Sequence, residues 1–226
     1  MPPFLHLWQA DLAAALPPWA AAEATLSAAE TARQARLRNP ALRQTYGRAH
    51  GFLRAVLSRY TDQPASDLSI HPDSQGKPVL PGFTLHFNLS YRPGRALLAI
   101  SNTHPVGVDV EPLTPLAGAA ALIRELYAPA EQSALRAAAP ADCWHLFYII
   151  WTRKEAYAKA LGRGVGMPFN TFSVLDFEPG QPLIFTAPAG ARLHHWAAGA
   201  GYQGAVAALG DGPPTPEFFS YPLATK

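Results

Sequence analysis

Between residues 27 and 60 the apolar positions fall at helical spacing. Ser27 to Glu30, "SAAE", has the form of a capping box, in which a serine and a glutamate three residues on each accept from the other's backbone N–H. It predicts a helix that ends near Asn39 and Pro40. A second helix should follow at once, because Leu42, Tyr46, Ala49, Leu53, Val56, Leu57 and Tyr60 recur three and four residues apart. The segment "HPDSQGKPVLPG" then breaks any regular element with its glycines and prolines. Beyond it the period changes to two. In "FTLHFNLS", Phe83, Leu85, Phe87 and Leu89 alternate with Thr84, His86, Asn88 and Ser90, which predicts a half-buried strand. "RALLAIS" and "VGVDVE" are two further strands, and the short "NTHP" between them predicts an antiparallel hairpin. Helical spacing returns at "LIRELYAPAEQSALRAAA", with Pro129 suited to a first turn, and again from about Asp142 to Leu161, where the glycines of "GRGVG" should stop the helix. "TFSVLDF", "PLIFTA", "RLHHWAA" and "YQGAVAAL" read as short strands.

The pattern is α+β, in two halves that each join helices to a small sheet, residues 1–104 and 105–226. With 226 residues and 49% hydrophobic composition there is ample material for a packed, soluble core. The start "MPPFLHLWQADLAAALPPWAAA" has no basic leader and its apolar stretches are interrupted, so neither a signal peptide nor a membrane span is expected. The single Cys143 excludes an internal disulfide and a cysteine metal cage, in keeping with a reducing, cytoplasmic setting. Net charge is only +2, but Arg33, Arg36, Arg38, Arg43, Arg48, Arg54 and Arg59 lie between Glu30 and Asp62 with no acid among them. Most of these should solvate helix faces; some could meet an anionic partner. Nucleic acid is not that partner, since aromatics are not interleaved with the arginines and no DNA-binding motif is present.

Chemistry is concentrated in two places. In "VGVDVE", Asp109 and Glu111 share one face of a strand while Val106, Val108 and Val110 share the other. In "WTRKEAYAKALGRG", Trp151, Glu155 and Lys159 are four residues apart and stack on one helix face. Taken singly, the acids read equally well as solvated residues on the open face of a hairpin, and Glu155 with Lys159 as a surface pair worth a few tenths of a kcal/mol. Taken together, three carboxylates with no cysteine and no obligatory histidine suit a hard ion such as Mg²⁺, with Lys159 placed to balance a phosphate oxygen. A metal-dependent phosphatase or nucleotide hydrolase would use the same groups.

"VGVDVE" followed by "WTRKEAYAKALGRG" and preceded by "GKP" and "FNLS" resembles the two-lobed, Sfp-like 4′-phosphopantetheinyl transferases, over about residues 38 to 165. The resemblance implies two similar α/β lobes related by a pseudo-two-fold axis, coenzyme A held between them, and a monomer. It implies Mg²⁺ on Asp109, Glu111 and Glu155, and Lys159 on the pyrophosphate. Lys77 and Pro78 of "GKP" would line the adenine pocket, while Ser90, Arg54 and, on a looser alignment, Arg38 would meet the 3′-phosphate. The implied reaction moves phosphopantetheine from coenzyme A to a serine of an apo acyl or peptidyl carrier protein, with Glu155, or else Glu111, as general base. Leu122, Leu126 and Tyr127 fall where the family docks its carrier, though they read almost as well as core. One position departs from the family: "FNLS" is usually followed by a phosphate-touching histidine, and here by Tyr91 and Arg92. A phenol brings no positive charge at neutral pH, so Arg92 or an upstream arginine is expected to compensate.

Overall fold

The computed structural model describes residues 2–15, 19–163 and 166–222. Along the chain run β1 (Leu5–Asp11), α1 (Trp19–Glu23), α2 (Ala28–Arg36), α3 (Pro40–Leu57), β2 (His71–Pro72), β3 (Pro78–Val79), β4 (His86–Arg92), β5 (Arg95–Ser101) and β6 (Val106–Pro112). Then follow α4 (Ala119–Leu126), α5 (Pro129–Ala137), α6 (Cys143–Ala160), β7 (Leu175–Asp176), β8 (Ile184–Phe185), β9 (Ala191–Ala197), β10 (Tyr202–Leu209) and β11 (Glu217–Tyr221). Helices and small, mostly antiparallel sheets make this an α+β protein, divided into two compact units, Met1–Thr103 with Pro214–Lys226, and His104–Pro213. Residues 214–226 thus group with the first unit, not with the second as the sequence pattern implied. The cause is β11, which pairs in parallel with β1 from His6↔Glu217 to Ala10↔Tyr221.

In the first unit the sheet order is β11-β1-β5-β4. The Ser27 capping box forms as expected and starts α2; Asn39 caps α3, with Pro40 in its first turn. The buried side of α3, with Ala49, Phe52, Leu53, Val56 and Leu57, packs in one cluster with Trp8, Phe87, Ala96, Leu98 and Ile100 of the sheet. The expected hairpin between "RALLAIS" and "VGVDVE" does not form, because β5 and β6 belong to different sheets. The hairpin joins β4 to β5 instead, where Arg92 pairs with Arg95 across Pro93 and Gly94. Gly94 has φ 85°, a value that the third residue of a type II turn needs after a proline and that glycine adopts without strain.

In the second unit the sheet order is β6-β10-β9, all antiparallel. α6 lies on the face that carries Gly107, Ala205 and Ala207, with Ala156 and Ala160 packed on the two alanines. A Cβ on Gly107 would fall inside van der Waals distance of the α6 backbone at Ala156 and Ala160, so only glycine lets helix and strand approach this closely. At its C-terminal end α6 stops at Ala160, and Gly162 (φ 70°) turns the chain; Gly164 and Val165 of the expected "GRGVG" stop lie outside the described residues.

Candidate active site

Because α6 covers the Gly107 face of β6, it also covers Asp109 and Glu111, which follow at alternate positions. Asp109 is 1% exposed and Glu111 9%, so these acids are not solvated residues on an open hairpin face. Val106, Val108 and Val110, on the opposite face, are fully buried. Lys159, on the last turn of α6, donates to Asp109 Oδ1 at 2.5 Å and to the Val108 carbonyl at 3.2 Å. A buried carboxylate is costly without a charged or hydrogen-bonding partner, and here the lysine ammonium supplies both.

Trp151, Glu155 and Lys159 share a helix face as their spacing predicts, and all three line a cavity of about 450 Å³. Its other walls are Leu126, Ala158, Gly166, Met167 and Phe169. A carboxylate and an ammonium therefore sit at the edge of an otherwise apolar hollow, the usual make-up of a site for an organic ligand with one charged end. Tyr127, by contrast, is core: it is fully buried and its hydroxyl donates to the Phe147 carbonyl at 3.1 Å, while burial raises its pKa. The cavity wall beside Phe169 is anchored by Lys154, whose ammonium donates to the carbonyls of Phe169 and Phe172 at 2.5 and 2.6 Å and pairs with Glu131 at 2.9 Å.

The donors Asp109, Glu111 and Glu155 are all carboxylates, which fits a hard cation in chemistry. They do not form a ready-made ligand cluster, since among the described residues no three His, Cys, Asp or Glu side chains are grouped to hold an ion.

The remaining sequence-predicted residues belong to the first unit. Lys77 and Pro78 sit on the β2–β3 hairpin, where Lys77 is half-buried and its pKa is lowered by burial against the opposing pull of Asp73. Ser90 is buried on β4, and Arg92 is exposed, with Nη1 3.4 Å from the Tyr91 carbonyl. Arg38 is exposed in the link between α2 and α3. Arg54 is a different case: 1% exposed, it donates from Nε to Glu30 Oε2 at 2.6 Å and from Nη1 to the carbonyls of Ala65 and Leu68. These bonds anchor Arg54 between Glu30 and the 65–68 turn. Arg43, Arg48 and Arg59 are likewise engaged, with Leu37 and Leu12 carbonyls and over the Trp8 ring.

Motif reading passes over a cluster above Glu30. His50 Nδ1 is 3.1 Å from Glu30 Oε1, and its ring stacks on Tyr46 with centroids 4.0 Å apart. Tyr91 meets the same ring edge-on at 5.9 Å, and Arg33 lies over the Tyr46 ring at 5.7 Å. Burial raises the Glu30 pKa, but hydrogen bonds from His50, the Ser27 backbone, Arg54 and the Ser27 hydroxyl outweigh it and hold the carboxyl at about 2. Burial pushes the Tyr46 phenol up to about 12, against the pull of Arg33. Tyr46, His50 and Arg54 are each four residues apart, a helix-face signal of the same kind as Trp151, Glu155 and Lys159.

Comparison with known proteins places this arrangement. Residues 105–209, which contain both buried acids and all of α6, match the 4′-phosphopantetheinyl transferase superfamily model. The chain is 31% identical over 194 residues to the 4′-phosphopantetheinyl transferase HetI of Nostoc sp., covering 84% of this chain and 81% of that protein. It is 30% identical over 134 residues to the transferase Sfp of Bacillus subtilis, 59% and 58% of the two chains, and 34% identical over 110 residues to AcpT of Escherichia coli, 48% and 55%. With a relative at this identity spanning most of both chains, and with the acidic strand and the Glu-Lys helix inside the matched segment, this protein belongs to the 4′-phosphopantetheinyl transferase superfamily.

Proposed function

We propose that this protein transfers the 4′-phosphopantetheine group of coenzyme A to a serine of an apo acyl or peptidyl carrier protein and releases 3′,5′-ADP. The observation that carries the reading is the desolvated acid pair of β6, Asp109 and Glu111, facing a helix whose Lys159 and Glu155 edge a cavity. The serine oxygen attacks the β-phosphorus of coenzyme A, the bond from that phosphorus to the bridging oxygen breaks, and 3′,5′-ADP leaves with the electron pair. The protein's work in such a transfer is positioning and charge compensation more than covalent chemistry. Glu155, with Glu111 as second candidate, accepts the serine proton; Lys159 holds a pyrophosphate oxygen. Mg²⁺, which Asp109, Glu111 and Glu155 would hold, supplies further neutralisation of the pyrophosphate when bound. Lys77 and Pro78 line the adenine pocket, and Arg38, Ser90, Tyr91 and Arg92 lie on the 3′-phosphate side. Leu126, on the cavity wall, and its neighbour Leu122 offer apolar contact to the carrier. No helix among the described residues is long and apolar enough to cross a membrane. We place the reaction in the cytoplasm and assign it to a monomer.

Intact-mass measurement of an apo carrier protein incubated with enzyme, coenzyme A and Mg²⁺ should show a gain of one phosphopantetheine. An unmodified carrier, with 3′,5′-ADP released from coenzyme A alone, would mark a hydrolase instead. For the base, Glu155→Gln at saturating Mg²⁺ should lower kcat by about 100-fold or more. Full kcat with only weakened Mg²⁺ affinity would remove Glu155 from that role.

A further inference from the structure

Two lysines of α6 pair with buried carboxylates, and they are held very differently. Lys154 is fully buried, pairs with the fully buried Glu131 at 2.9 Å and donates to the carbonyls of Phe169 and Phe172. Withdrawing that ammonium would strand a carboxylate and two carbonyls. Lys159, five residues on, spans two environments. Its side chain is 28% exposed and lines the cavity, yet its ammonium reaches Oδ1 of Asp109 at 2.5 Å, on a side chain only 2% exposed. Its bond to the Val108 carbonyl is longer, at 3.2 Å. A lysine on a flexible four-carbon stem, rooted in the last turn of a helix and open to solvent, can leave such a contact by turning about its own side-chain bonds.

Asp109 cannot be left alone when it does. A desolvated carboxylate stranded without a cation is costly, so a second cation must arrive as the lysine departs. Nor can two cations hold the carboxylate together. Asp109 brings one negative charge, and at 1% exposure little water screens an ammonium from a divalent ion beside it. The same contact accounts for the dispersed carboxylates. Among the described residues Asp109, Glu111 and Glu155 are not gathered to hold an ion, and with the Lys159 ammonium on Asp109 the negative charge at that position is already met.

We propose that Lys159 is a displaceable counterion: it stands on Asp109 until a divalent cation replaces it, and the released ammonium then turns to the pyrophosphate. This rests on the reading of the protein as a coenzyme A-dependent transferase that uses Mg²⁺. The exchange couples the two ligands. Metal arriving alone must evict the ammonium with no anion to receive it, whereas metal arriving with a pyrophosphate gives both cations a partner, so each ligand tightens the other. Lys159 thereby restrains metal binding in the nucleotide-free protein and contacts phosphate in the loaded one.

The test is Mn²⁺ binding to the full chain without nucleotide, followed by loss of the electron paramagnetic resonance signal of the free ion, with Mg²⁺ as competitor. It needs neither a carrier protein nor turnover. Lys159→Met should bind Mn²⁺ more tightly than the wild type by about 10- to 100-fold, the worth of a hydrogen bond between charged groups, and Lys159→Arg, which keeps a cation, should stay within about threefold of the wild type. Asp109→Asn in the Lys159→Met background should remove the gain. Saturating coenzyme A should tighten Mn²⁺ by a larger factor in the wild type than in Lys159→Met. Should Lys159→Met fold poorly, the stranded Asp109 makes the same exchange visible as a rise of its denaturation midpoint with Mg²⁺ that exceeds the wild type's. A midpoint that gains no more than the wild type's, or an Mn²⁺ affinity unchanged or weakened in Lys159→Met, overturns the exchange and leaves the transferase reading standing. No Mn²⁺ binding by Lys159→Met overturns the exchange together with the placing of the metal, while the carrier-mass measurement still decides transfer on its own.

Discussion

α3 and α6 are each eighteen residues long, each lies on a sheet, and each buries a cation in a similar setting, Arg54 and Lys154, α6 burying Arg153 as well. On α3, Arg54 meets Glu30, the third residue of α2, whose carboxylate also accepts from the backbone N–H of Ser27 at that helix's start. On α6, Lys154 meets Glu131, the third residue of α5, whose carboxylate also accepts from the backbone N–H of Ala128. Arg54 donates to two loop carbonyls, Ala65 and Leu68; so does Lys154, to Phe169 and Phe172. The two differ in how they are closed. Glu131 and Lys154 are both fully buried, and the carboxylate's other oxygen accepts from the Val174 N–H at 2.9 Å. Glu30 is 14% exposed and gives its other oxygen to His50. The same ionic joint is a sealed brace under the cavity wall in one unit and the floor of an open cluster in the other.

If the Lys154 joint is purely a brace, breaking it should destabilise the protein more than losing the Glu30 joint or disturbing the Gly107 contact. Lys154→Met leaves the Glu131 carboxylate buried without its cation, and should cost about 3–5 kcal/mol by chemical denaturation. Adding Glu131→Leu removes the stranded charge and should recover part of that loss. A double variant no better than the single would mean that the hydrogen bonds to Ala128 and Val174, not the ion pair, carry the joint.

The open joint should differ in its response to acid. Glu30 has a folded-state pKa of about 2 against the usual 4.5, so the stability it contributes is complete above pH 4.5 and disappears as pH falls toward 2. The displacement corresponds to at most about 3 kcal/mol, less whatever solvent screening removes at this partly open site. Denaturation midpoints measured between pH 5 and 2 should therefore fall more steeply for the wild type than for Glu30→Gln, which has no such proton to take up. Parallel curves would show that the Glu30 cluster is not a source of acid sensitivity.

How much of this was legible in the sequence follows from the range of the forces involved. α2, α3, α5 and α6 announce themselves through local chemistry, the serine and asparagine caps, Pro40 and Pro129 in first turns, and sustained helical spacing. β1 and β11 do not. "LHLWQAD" is buried at positions on both faces, so it shows no alternation, and "EFFSY" is defined by a partner some two hundred residues away. "NTHP" resembles a hairpin loop because a sequence does not show that its two flanking strands join different sheets. In the candidate site, the shared faces of Asp109 with Glu111 and of Glu155 with Lys159 were readable because strand and helix periodicity place them. His50 was not, because Tyr46 counts as one more apolar position in the α3 stripe and so hides the four-residue spacing from Tyr46 to Arg54. The burial of Arg54 is equally invisible, since Glu30 and the 65–68 turn reach it only in the folded chain.

The smallest of the expected effects on stability is also the one that ties fold to chemistry. Gly107 lets α6 rest directly on β6, and the same two elements carry Lys159 and Asp109, whose contact is 2.5 Å. Gly107→Ala places a methyl 2.1 Å from the Ala156 carbonyl oxygen, helix backbone that cannot rotate away as a side chain would, so α6 must shift by about an ångström. Overpacking of this kind costs about 1–3 kcal/mol, too little to unfold a protein of ordinary stability. On the proposed mechanism, transfer of phosphopantetheine would need the strand acids and the helix Glu155 and Lys159 held in register, and a misplacement near 1 Å can lower a rate by about a hundredfold. Gly107→Ala should thus remain folded and lose most of its kcat. The matching close approach in the first unit, Gly51 of α3 against the backbone of Ala22, supplies the control. Gly51→Ala, whose methyl would meet the Ala22 backbone at 2.8 Å, should show a smaller fall in stability and keep most of its kcat, because the α1–α3 contact holds no proposed reacting group. Equal losses of kcat in the two variants would mean that the β6–α6 spacing has no special part in the chemistry.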